Sequence, residues 1–169
     1  MKIESEKFFV DKFLNHLYDC RDTDNLILKG HILTEYYLQH SINQLAVEKL
    51  NFDKVRFTFS NKIEIAKLVG VFTREIDLYA ELRLLNKLRN SIAHNLGYDK
   101  SILNDFLSRF EQHKSVYGNE KANNLQIGRE IFINIKGEQI TFDGSHMMLM
   151  LYMSSICTRL YFSNKLTKK

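Results

Sequence analysis

A chain of 169 residues, 44% hydrophobic and 26% charged, suits one globular domain (residues 1–169) that buries a core without disulfide or metal staples. A mean hydropathy of −0.28, with no uninterrupted apolar run long enough to span a bilayer, argues against a membrane helix. The net charge of +4 permits weak attraction to nucleic acid without establishing it.

Proline is absent, so no helix is broken from within by a residue that lacks an amide donor. Residues 4–20 place Phe9, Phe13, Leu14 and Leu17 at helical spacing and predict a first helix. Their beginning has no apolar signal core and no small-residue cleavage site, so export is not expected. "RDTDN" is a turn whose Asp or Asn side chain can cap the next helix. One long helix is predicted over residues 25–50, with Gly30 placed to let a second helix approach closely. A connector leads to a short helix over residues 60–70, with Ser60 as its N-cap and Gly70 as its stop. A fourth helix starts near Thr73 and ends between Asn95 and Gly97, and a fifth covers residues 101–115. Residues 116–129 are polar and read as a loop. Ile131, Ile133 and Ile135 alternate, the chain turns at Lys136–Gly137 and returns through Ile140 and Phe142, which predicts a small β-hairpin. A last helix over residues 145–166 carries Met147, Met148, Met150 and Met153 as core filler. The expected fold is mostly α: an up-and-down bundle of five to six helices, with the hairpin before the last helix.

Cys20 and Cys157 lie far apart and form no C-x-x-C pair, and no His, Asp or Glu spacing suggests a metal site. The expectation is a reduced, cytoplasmic protein without a metal or other cofactor.

The stretch "KLRNSIAHN" is the unusual one. At about 100° per residue, Leu78, Leu82, Leu85 and Ile92 fall within about 60° of Arg89, which puts a permanent cation in the middle of an apolar stripe. Asn86, Asn90 and His94 run along one flank of that stripe. Leu84 and Leu88 form a second apolar side, which fits a central helix or one shared with a partner subunit. Glu35 occupies the same kind of position in the second helix, among Leu28, His31, Ile32, Leu38 and Ile42. A buried cation requires a partner, so a Glu35–Arg89 pair is expected where the two faces meet. His31 lies one turn from Glu35, within reach of a local contact.

"LRNSIAHN" resembles the R-x4-6-H motif of the HEPN superfamily of helical domains, with Arg89, the polar Asn90 and the closing His94 in the motif's order. The preceding "LKGHILTEYYLQHSI" and "FSNKIEIAKLVGVF" are similar in order to the mannitol operon repressor branch. The likeness is carried by about residues 25–97, within a family-like core of about 25–113; residues 125–166, the hairpin and last helix, have no counterpart in it.

The resemblance implies a metal-independent endoribonuclease, the toxin of a toxin–antitoxin or phage-defence system. Its products would be 2′,3′-cyclic phosphate and 5′-hydroxyl ends. Histidine suits proton transfer near neutral pH and arginine suits a phosphorane. One histidine per chain then calls for a homodimer with a composite site built from both copies of Arg89, Asn90 and His94, with Glu35, Asn86 and His31 in support. An antitoxin or nucleotidyltransferase-like partner is implied too, with Tyr98 as a candidate modification site. The alternative is a non-catalytic regulator or protein-interaction module; no helix-turn-helix with a basic recognition face is evident.

Overall fold

The Asp22 carboxylate accepts hydrogen bonds from the amides of Asp24 (3.2 Å) and Asn25 (2.9 Å), and so starts helix α1, Thr23–Leu45. The computed structural model describes residues 17, 19–47, 56–73, 76–113, 130–135 and 138–162. The predicted first helix and the polar loop lie almost wholly outside these residues. Helix α1 stops at Leu45, short of the expected residue 50. Its apolar residues run out of cover there: Ile42 is buried and Val47 stands wholly exposed.

Helix α2, Phe59–Leu68, is capped by Thr58, whose hydroxyl accepts from the Asn61 amide at 3.2 Å. The expected cap, Ser60, is already helical. Phe59, Lys62, Ile63 and Ala66 form the buried stripe, so the helix must begin early enough to bury Phe59. At its end Gly70 takes a φ of +85°, the Gly70 amide donates to Lys67 O and the Val71 amide donates to Ala66 O. This is a Schellman ending, in which a left-handed residue lets the last carbonyls find donors.

Helix α3 runs Ile76–Asn95 and helix α4 runs Lys100–His113. Between them Leu96 adopts a φ of +56°, and the chain is pinned from two sides. The Tyr98 amide donates to Asp24 Oδ1 at 3.0 Å, and the Asp99 amide donates to Ser91 Oγ at 3.0 Å. Asp99 then caps α4 by accepting from the Ser101 and Ile102 amides. Strands β1, Glu130–Ile135, and β2, Glu138–Asp143, pair antiparallel, with Glu130 opposite Asp143 and Ile135 opposite Glu138. The turn at 136–137 lies outside the described residues. Among the described residues the fold is mostly helical, with five helices.

Helix α5, Gly144–Phe162, is the most apolar of the described helices. Met148, Leu149, Met150, Tyr152, Met153, Ile156, Cys157 and Leu160 are buried over rather more than half of its circumference, and Met147, Leu151, Ser154, Ser155 and Thr158 on the other side are partly exposed. Phe106 and Phe110 of α4 lie against Tyr152, with ring centroids 4.5 and 5.1 Å away. On the α1 side, Ser41 Oγ donates to Leu160 O at 2.6 Å, and Thr34 Oγ1 lies 3.5 Å from Cys157 Sγ. Gly30 admits Met153 so closely that an added Cβ would meet its sulfur at 2.9 Å. No described helix is long and apolar enough to cross a membrane.

One charged pair is sealed inside this packing. Glu81 of α3 is wholly buried and accepts from Arg159 Nη1 of α5 at 2.6 Å. Glu81 shares the stripe of Leu78, Leu82 and Leu85, so the buried charge of α3 is an acid hidden among the apolar residues of its own face.

Substitution at the close contact and at the buried pair has opposite lessons. Gly30→Leu overpacks the α1–α5 contact and costs about 1–3 kcal/mol, read as a fall in thermal midpoint. Arg159→Met strands the Glu81 carboxylate and costs about 3–5 kcal/mol, whereas a double Glu81→Leu/Arg159→Met replacement stays within about 1 kcal/mol of the parent or exceeds it. Denaturant unfolding of the three proteins checks these values.

Candidate functional site

Helix α1 places His31 and Glu35 one turn apart, the start of α2 supplies Phe57 to Ser60, and α3 supplies Asn86, Arg89 and Asn90. Together they line a cleft of about 500 Å³. Two helices thus bring Arg89, Asn90, Glu35, Asn86 and His31 into one cavity, which the start of α2 also lines.

The charges in it pair differently from the sequence expectation. Glu35 Oε1 accepts from Lys62 Nζ, not from Arg89. Lys62 is buried in the stripe of α2, and the carboxylate of α1 is the counter-charge that lets it stay there. The criterion that singles out Arg89, a charge inside an apolar stripe, also finds Lys62 between Phe59, Ile63 and Ala66, and Glu81 between Leu78 and Leu85. Sequence reasoning missed both.

Arg89 is half-buried, and its Nη1 donates to Asn90 Oδ1 at 3.2 Å. Among the described residues no carboxylate pairs with it. A guanidinium so placed keeps most of its donors for a ligand, and its planar fork matches a phosphate or carboxylate.

His31 is buried at 6% exposure, with its ring 4.3 Å from that of Phe59. Its Nε2 has no hydrogen-bond partner among the described residues. Burial lowers its pKa to about 4; Glu35 and Asn86 pull it up, Arg89 and Lys62 push it down, and burial wins. The imidazole is therefore neutral at physiological pH. The expected local contact with Glu35 is electrostatic only.

His94 and Tyr98 do not line the cleft. His94 is exposed in the last turn of α3, one turn beyond Asn90. Tyr98 is half-buried against the core, its backbone held by Asp24. The second apolar side of α3 is not left for a partner: Leu88 is wholly buried within one chain, and Leu84 is half-covered beside Asp105, Ser108 and Arg109 of α4. At the C-terminal boundary of α3 the exposed residues are Ala93, His94, Asn95 and Leu96.

Among the described residues no group of three or more His, Cys, Asp or Glu side chains is arranged to hold a metal ion. The cleft's own chemistry is that of an anion and hydrogen-bond site: one guanidinium, two amides, a neutral imidazole, and a carboxylate offset by an ammonium. Comparison with family models, curated proteins and solved structures gives no match.

The His31 environment predicts a pH dependence of stability. Between about pH 6.5 and 4 the unfolded chain binds a proton at His31 that the folded chain refuses, so stability falls as pH falls through this window. The contribution is on the order of 3 kcal/mol across the window. A His31→Gln variant loses stability less steeply over the same range, measured by urea unfolding at successive pH values.

Proposed function

We propose that the protein is a HEPN-like, metal-independent endoribonuclease. The observation that carries this reading is Arg89, held half-buried beside Asn86 and Asn90 with no carboxylate to neutralise it among the described residues. Its guanidinium binds the phosphate to be cut and stabilises the charge that builds on the phosphorane. Asn90 anchors that guanidinium through its carbonyl oxygen and keeps its amide nitrogen to donate to a phosphate oxygen.

His94, one turn further along the same helix, takes the proton from the 2′-hydroxyl. The 2′-oxygen attacks phosphorus and the 5′-oxygen leaves with a proton, giving a 2′,3′-cyclic phosphate and a 5′-hydroxyl. One His94 supplies the base and the acid comes from a second copy, in a homodimer that brings both α3 ends together. The exposed surface at Ala93–Leu96 is where such a contact forms. In a cell this activity suits a cytoplasmic toxin or phage-defence protein held in check by an antitoxin or a nucleotidyltransferase-like partner.

One observation favours a second reading. His94 stands outside the cleft that holds Arg89, and if it never meets the phosphate the protein binds RNA or a partner protein without cutting, as a regulator or interaction module.

Incubation with total RNA in EDTA separates the two. Wild-type protein cuts, and Arg89→Ala and His94→Ala each reduce cutting by about 100-fold or more while remaining folded. Folded wild-type protein that leaves RNA intact, or cutting that survives both substitutions, overturns the ribonuclease reading.

A further inference from the structure

Helices α2 and α3 end on the same backbone device with different residues. A left-handed residue closes each, but α2 uses Gly70, which takes φ +85° at no steric cost, and α3 uses Leu96 at φ +56°. A leucine is disfavoured there, because its Cβ crowds the neighbouring carbonyl. Gly97 stands one place too late to relieve it. Leu96 is also 98% exposed, so its side chain gains no packing that would compensate. Such strain persists only where the surrounding structure imposes it, and it gathers at functional positions.

Two side chains impose it here. Asp24 lies in the first turn of α1, where a carboxylate is favoured by the positive end of the helix. Its Oδ1 accepts from the Tyr98 amide at 3.0 Å, across 74 residues of chain. A Cβ added at Gly97 would lie 3.9 Å from its Oδ2, so the carboxylate spans the corner from Gly97 to Tyr98. Ser91 Oγ ties the same corner back to α3, donating to Leu88 O at 2.7 Å and accepting from the Asp99 amide. The last four carbonyls of a helix lack amide partners within it, so its final turn frays unless the chain beyond is held. His94 lies in that final turn, two residues before Leu96.

We propose that Asp24 is a positioning residue for His94: its hydrogen bond to the Tyr98 amide, with Ser91 bracing the same corner, holds the end of α3 helical and fixes where the imidazole stands. Asp24 acts through the backbone and touches neither the phosphate nor the proton in transit. The bracing of the corner stands on the geometry alone, and its consequence for catalysis rests on the ribonuclease reading. A base displaced by about 1 Å loses up to about 100-fold in rate. Arg89 lies more than one turn back from His94, away from the fraying end, and goes on binding RNA. The signature of the strut is therefore a fall in kcat without a rise in KM.

Hydrogen exchange on the full chain tests the strut, with Asp24→Ala beside Asp24→Asn. Both variants remove the charge from the start of α1, but only asparagine keeps an oxygen that can accept from the Tyr98 amide. In Asp24→Ala the amides of residues 92–98 exchange at least about tenfold faster while those of α5 are unchanged, and in Asp24→Asn they stay within about threefold of the parent. RNA cutting in EDTA then reads the consequence. Asp24→Ala lowers kcat by about tenfold or more at constant KM, and Asp24→Asn restores most of it. Unchanged exchange over residues 92–98 in Asp24→Ala overturns the strut, whether or not the protein cuts RNA. Equal acceleration in α5 overturns it too, since the loss is then one of global stability. Faster exchange at the corner with undiminished kcat leaves Asp24 a structural brace and overturns its positioning role. A folded parent protein that never cuts RNA removes the ribonuclease reading and the positioning role with it, and the exchange result then speaks for the brace alone.

Discussion

A charge in the apolar face of a helix cannot be buried until something answers it. This protein carries such charges on four of its helices, and its architecture depends on how they are answered. Glu81 of α3 meets Arg159 of α5, which ties these two helices together. Glu35 of α1 meets Lys62 of α2, which fixes the start of α2 against α1. With both acids engaged, Arg89 stays at the edge of the packing and faces a cleft with, among the described residues, only Asn90 on its guanidinium. The two closed pairs are structural, and the open cation is what gives the cleft its chemistry.

Local order was legible in the sequence because its causes are local. Periodic apolar residues located the helices that lie within the described residues. Gly70 marked the end of α2 because a left-handed residue is needed there, and Gly30 marked a close helix contact. The cap of α2 was misplaced by two residues, since Thr58 and Ser60 are both good caps and the choice depends on burying Phe59. The heavy burial of α5 was visible only as an unusual density of apolar residues. It became decisive when the other elements had to share one core.

Charge pairing was harder to read, for a physical reason. Periodicity shows that a charge points inward, but not which helix it meets. Glu35 had two inward-facing cations to choose from, Arg89 and Lys62, and spacing along the chain cannot rank them. Of the candidate site residues, Arg89, Asn90, Asn86, Glu35 and His31 gather in the cleft, whereas His94 stands at the exposed helix end and Tyr98 packs against the core. The phenylalanines at the start of α2 carried no signal of a site, because an apolar residue beside a helix cap is ordinary core material.

The open cation of the cleft exists only because Lys62, not Arg89, is the partner of Glu35. A double-mutant cycle measures this directly, with Glu35→Gln combined in turn with Lys62→Met and with Arg89→Met and stability taken from urea unfolding. The expected coupling is about 1–3 kcal/mol between Glu35 and Lys62 and less than about 0.5 kcal/mol between Glu35 and Arg89. A strong coupling of Glu35 to Arg89, with little to Lys62, would mean that the guanidinium is already engaged inside the fold. The cleft would then have no open cation to offer a phosphate.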